Sequence, residues 1–220
     1  MKVITACALA AAICVAAQLP GEGQTTMNFE KYEPGKAPAG FTAALTGQGA
    51  PGAWEIREDA SSPSGKKVLT QTSSDATDSR FPILVYDDVK ASDVAVSVRF
   101  KAISGKVDQA GGLVARFADH DNYYVVRANA LENNVRLYRV VAGRRQQFGG
   151  VNEPVSSGQW HTLRLESKGA HFRVSFDGKL LFEAEDATFR GPGKVGLWTK
   201  ADSVTEFDEF SFASLDTRKP

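Results

Sequence analysis

The chain has 220 residues, with 26 Lys and Arg set against 26 Asp and Glu, so its formal net charge is zero. Nucleic acid and anionic membrane surfaces call for a basic field, and neither is expected as a partner. The length fits one domain.

The chain opens with MKVITACALAAAICVAAQLP, where Lys2 precedes an apolar run from Val3 to Ala17. That run is short of the ~20 residues that cross a bilayer. A basic start, a short apolar stretch and the small residues Val15-Ala16-Ala17 predict a secretory signal peptide over residues 1–17. The expected destination is periplasmic or extracellular, with no membrane insertion after cleavage. Both cysteines, Cys7 and Cys14, lie in this segment. The remaining chain therefore has no thiol or disulfide chemistry. Residues 18–27 and 215–220 read as loose termini around a single domain over 28–214.

Within that domain the pattern is period two. "DVAVSVRFKA" (93–102) sets Val94, Val96, Val98 and Phe100 against Ser97, Arg99 and Lys101. "GGLVARFA" (111–118) sets Leu113, Ala115 and Phe117 against Val114 and Arg116. "HFRVSF" (171–176) sets Phe172, Val174 and Phe176 against His171, Arg173 and Ser175. Such alternation marks strands buried on one side. Asp177-Gly178 is a two-residue hairpin signal, and "VAGRR" around Gly143 and "ADHDN" from Ala118 to Asn122 read as further turns. "DATFRGPG" (186–193) is expected to add one helical turn. Many short strands and regular turns predict an all-β fold, an antiparallel two-sheet β-sandwich.

Residues 158–212 carry a more specific likeness. A Gly-x-Trp-x-x-x-Arg strand (Gly158, Trp160, Arg164) leads to a hairpin with Gly178. A Gly-x-Val-Gly-Leu strand (Gly193, Gly196, Leu197) follows, and the closing strand holds Phe207-Asp208-x-Phe210. The chain thereby resembles concanavalin A-like lectin/glucanase domains, within them the laminin-G-like and 3-keto-disaccharide hydrolase groups. The resemblance implies a jelly roll and a carbohydrate or oxidised glycoside as partner. No cofactor is expected.

Three functional readings stay open: a carbohydrate-binding domain using its concave sheet, a glycosidase acting on 3-keto-disaccharides, and a non-catalytic module of the cell envelope. The paired carboxylates of retaining glucanases, which must stand ~5 Å apart, have only Glu183 and Glu185 as a partial match, and these read as edge charges. The stretch 107–140 offers more. If Tyr124, Val126 and Ala128 face inward, Tyr123, Arg127 and Asn129 face outward. Arg116, opposite Ala115, is expected on that same outer wall beside Arg127. Two adjacent guanidiniums need an acid, a ligand oxygen or water between them. Glu132 is the nearest acid; on the hydrolase reading it is the catalytic acid/base. A solvated salt-bridge network is the plainer alternative. Trp198, Tyr123 and Tyr138 are candidate platforms for a sugar ring, and Lys200 lies just beyond Trp198 at a strand end. Asp119, Asp121 and Asn122 could offer calcium a few oxygens but read as a plain turn. The three histidines form no zinc pattern.

Overall fold

The computed structural model describes residues 23–215; the expected signal peptide and most of the tail lie outside them. Fifteen strands follow one another: β1 (Thr25–Met27), β2 (Phe41–Gly47), β3 (Trp54–Glu58), β4 (Lys67–Gln71), β5 (Arg80–Ala91), β6 (Val94–Ser104), β7 (Ala110–Asp119) and β8 (Asn122–Asn129). They continue as β9 (Asn134–Val141), β10 (Arg144–Asn152), β11 (His161–Lys168), β12 (His171–Phe176), β13 (Lys179–Glu185), β14 (Gly193–Trp198) and β15 (Val204–Ser214). One sheet runs β13-β12-β11-β6-β15-β4-β3, with β1 also on β15; the other runs β10-β9-β8-β7-β14-β5-β2. The fold is the antiparallel two-sheet sandwich that the alternation predicted.

Two turns show how local chemistry sets the register. Asp177 and Gly178 have φ of 47° and 80°, and Ala142 and Gly143 have 49° and 73°. Positive φ at both central positions gives a turn whose twist matches its flanking strands. The β12–β13 and β9–β10 hairpins are closed this way.

The core lies between the sheets. Val94, Val96, Val98 and Phe100 of β6, with Leu163 and Leu165 of β11 and Phe172 of β12, face Leu113 and Ala115 of β7 and Tyr124 and Val126 of β8. A second apolar layer covers the outer face of the seven-stranded sheet. It contains Ile83, Val85, Val114, Tyr123, Val125, Tyr138, Val140 and Trp198.

Two expectations about the chain's edges change. Residues 25–27, read as loose, pair as β1 with Phe210, Ser211 and Phe212 of β15. Met27 is buried there. The segment 186–193 has no helical turn. The Tyr124 hydroxyl pins it instead, donating to Asp186 Oδ1 at 2.6 Å and accepting from Phe189 N at 2.9 Å. Thr188 N also donates to Asp186 Oδ1 at 2.8 Å, so the segment bends back on itself and both its ends reach a single hydroxyl.

Candidate functional site

The outer face of the seven-stranded sheet carries most of the expected residues, and alternation along β8 holds. Tyr123 and Val125 join the outer layer, Tyr124, Val126 and Ala128 the inner core. Arg127 and Asn129 follow the parity of Tyr123. From β9, Tyr138 and Val140 rise on the same side, and from β14, Trp198.

The aromatic residues do not form an open platform. Trp198 has no exposed surface and stacks on Phe81 at 5.6 Å and 13°. Tyr123 is equally buried; its hydroxyl lies 2.9 Å from that of Thr46, and burial pushes its pKa up to about 12. Arg145 covers this layer. Its guanidinium carbon is 4.4 Å from the Tyr138 ring centroid, 4.7 Å from Phe81 and 5.7 Å from Trp198. In the sequence Arg145 reads as part of the VAGRR turn. The signal was present, since Arg145 pairs with Val140 across the β9–β10 hairpin. Paired residues share a face.

Around this stack sits a charged cluster. Arg127 is 4% exposed. It donates to Asn134 Oδ1, to Glu132 Oε2 at 2.7 Å and to the Tyr138 hydroxyl at 3.3 Å. The Glu132 side chain is 46% exposed. Partial burial raises its pKa, but the Asn134 hydrogen bond and the Arg127 charge outweigh that and hold it below the usual range. Lys200 reaches Asp78 at 2.5 Å and Asp108 at 2.9 Å. Burial alone would lower its pKa; these two carboxylates raise it instead. Asp108 is fully buried, and burial raises its pKa against the pull of Lys200. Asp78, Asp108 and Asn134 belong to the cluster without having been singled out in the sequence.

Asn129 has a scaffolding role. Its Nδ2 donates to Asp108 Oδ1 at 2.7 Å, and its Oδ1 accepts from Leu131 N at 2.9 Å and Glu132 N at 3.2 Å. It sets the turn that presents Glu132 and, being fully buried, offers nothing to a ligand.

Arg116 departs from its expected place beside Arg127. The β7–β8 register shifts between Ala115 and Asp119, and Arg116 has φ of 48°. Such a bulge adds residues to one strand and reverses the parity beyond it. Phe117 accordingly turns outward against Tyr123, at 5.8 Å. The Arg116 guanidinium lies over the core rings of Tyr124 and Phe172, at 5.9 Å and 5.5 Å. It donates to the carbonyls of Ser92 at 2.6 Å and Phe189 at 2.8 Å and pairs with Asp93. Gly193 allows the close passage, because a Cβ there would stand 2.3 Å from the Arg116 carbonyl carbon. Arg116 is a structural residue on the other side of the sheet.

Glu183 and Glu185 stand on strand β13 and pair with Arg173 at 2.9 Å and His171 at 3.1 Å. Asp119 caps its own turn, accepting from Asp121 N at 2.8 Å and Asn122 Nδ2 at 2.9 Å. A cavity of about 1060 Å³ lies over the outer face of the eight-stranded sheet. Its lining includes Ser97, Arg99, Arg164, Glu166 and Ser211. Ion pairs such as Arg164–Glu166 at 2.9 Å and Arg173–Glu166 at 3.5 Å match most of its charges.

No protein-family model and no curated protein matches the sequence. Solved structures do match. A carbohydrate-binding module, CBM66 from Bacillus subtilis, superposes with a TM-score of 0.63 at 20% identity, over 80% of this chain and 96% of that one. A Bacillus licheniformis β-glucanase gives 0.58 at 12% identity, over 89% and 99% of the two chains. The carbohydrate recognition domain of Emp47p gives 0.56 at 12%, over 90% and 98%. The chain therefore shares the two-sheet sandwich fold of these three proteins.

Proposed function

We propose that the chain binds carbohydrate on the outer face of its seven-stranded sheet, at the end where Arg127, Glu132, Tyr138 and Arg145 meet. One observation carries this reading. Two guanidiniums converge on one ring, Arg145 at 4.4 Å and Arg127 at 5.9 Å from the Tyr138 centroid, beside the half-exposed carboxylate of Glu132. Arg145 Nη1 and Arg127 Nε are both buried and without a hydrogen-bond partner. An unmet buried donor costs about 1–3 kcal/mol, and Arg145 as a whole is only half-buried, so the guanidinium that carries Nη1 remains within a ligand's reach. Sugar hydroxyls supply acceptor oxygens, and Glu132 can accept from them. The structural likeness to carbohydrate-binding sandwiches supports the same reading, and the predicted signal peptide suits a protein that meets glycans outside the cytoplasm.

Titration calorimetry against a broad glycan panel tests it. A sugar should bind, and Arg127→Ala should weaken it by roughly 10-fold or more, as loss of a charge-assisted contact does. A folded protein indifferent to the whole panel overturns the reading.

A hydrolytic role is favoured by one observation only: Glu132 is ionised and open to solvent, as a general base must be. Arg116 cannot polarise a keto oxygen there, because its guanidinium lies in the core. If 3-keto-disaccharides are turned over, Glu132→Gln should abolish turnover; unchanged turnover removes Glu132 from the chemistry.

A further inference from the structure

We propose that the glycan taken by this face carries a carboxylate, as a uronic acid does, and that Arg145 together with Arg127 seats it. The inference rests on the carbohydrate reading of the same face and adds the class of sugar.

The argument is one of unmatched charge contacts. Each other cation of the cluster touches a carboxylate: Arg127 reaches Glu132 at 2.7 Å, and Lys200 reaches Asp108 at 2.9 Å and Asp78 at 2.5 Å. Arg145 touches none among the described residues. Three aromatic rings surround it, and its Nη1 is sealed from solvent with no acceptor. Burial lowers its pKa, the mark of a cation stripped of water. Asp78 and Asp108 share its neighbourhood, but both are already committed to Lys200.

A neutral hydroxyl would satisfy one N–H and leave that charge unanswered. A planar carboxylate answers both needs, because its two oxygens match the guanidinium fork. Arg127 stands on the other strand of the β8–β9 pair, also over Tyr138. An anion between the two guanidiniums would turn their repulsion into attraction. The rings fix the guanidinium plane in advance, so little freedom is lost on binding.

The test uses matched probes. Galacturonic and glucuronic acid oligosaccharides of two to four sugars are titrated against the same molecules after carboxyl reduction, which turns each –COO⁻ into –CH₂OH. The carboxylated member should bind at least ~10-fold tighter, about 1.4 kcal/mol. In Arg145→Gln, shown folded by circular dichroism, the ratio of the two affinities should fall to near one. Arg145→Lys, which keeps the charge and loses the fork, should retain part of it. Equal binding of both members to the wild type overturns the carboxylate seat and leaves the carbohydrate reading standing. A preference that survives Arg145→Gln also overturns it, by placing the seat elsewhere. Sulfated glycans preferred over both would replace the carboxylate with another anion. Failure of these probes and of every glycan in the broad panel removes both readings.

Discussion

Two arginines eleven positions apart in sequence serve opposite sides of one sheet. Arg116 is 2% exposed and joins β7 to the carbonyls of Ser92 and Phe189. Arg127 meets Glu132 at the sheet's outer face. Removing one partner of a buried charged contact costs about 3–5 kcal/mol. Arg116→Ala should therefore lower unfolding stability by about 3 kcal/mol in urea titration and leave glycan affinity unchanged. A large affinity loss in a stable Arg116→Ala protein would show that the two residues work together after all. Simple alternation placed Tyr123, Arg127 and Asn129 correctly, because β8 is regular. It failed at Arg116, because a bulge is a backbone event with no reliable side-chain signature, and Arg is not a residue that favours positive φ. Burial was equally illegible. Nothing in the order of residues says that Arg145 folds across Trp198 or that Asn129 is spent on Asp108.

At the scale of elements, hairpin chemistry was readable and loop chemistry was not. The turn at 177–178 follows from Asp-Gly alone. The loop between β4 and β5, by contrast, is organised by Asp75. Its carboxylate accepts from Ala50 N at 2.7 Å, Thr77 N at 2.9 Å and Thr77 Oγ1 at 2.7 Å, contacts that no periodicity announces. The Ala50 bond first, then those of Thr77, lower its pKa from 3.8 to about 2. Asp59 ends at the same value of about 2. There burial acts upward and is outweighed by hydrogen bonds from Lys101 and Ser61. Both groups bind a proton more readily unfolded than folded. Their contribution is complete above about pH 4 and is lost as pH falls toward 2. The melting temperature should drop across that window, and Asp75→Asn should flatten part of the drop. An identical slope in the variant would show that Asp75 carries none of it.

Over the whole molecule the sandwich is closed by aromatic contacts between its layers. Phe172 of the eight-stranded sheet meets Tyr124 and Phe148 of the other, with centroids 4.6 Å and 5.3 Å apart. Tyr124 in turn holds the 186–189 segment. Truncating a buried Phe costs about 3–5 kcal/mol, a large share of the ~5–15 kcal/mol that holds a domain together. Phe172→Ala should lower the unfolding free energy measured by urea titration by that amount, and a loss under about 1 kcal/mol would mean that the layers are joined elsewhere. The overall architecture was the most legible level, since it needs only the period of the apolar residues. Strand β10 forms one border of its sheet and is hydrogen-bonded to β9 alone. Position 144, like 145, is an arginine. Sliding this border strand by one step turns every side chain over, and in one of the two directions the incoming residue would be Arg144. The guanidinium above Tyr138 thus has an understudy beside it, but the same step would swing Phe148 off Phe172 and Tyr124, so the core contact of this strand holds Arg145 in its place.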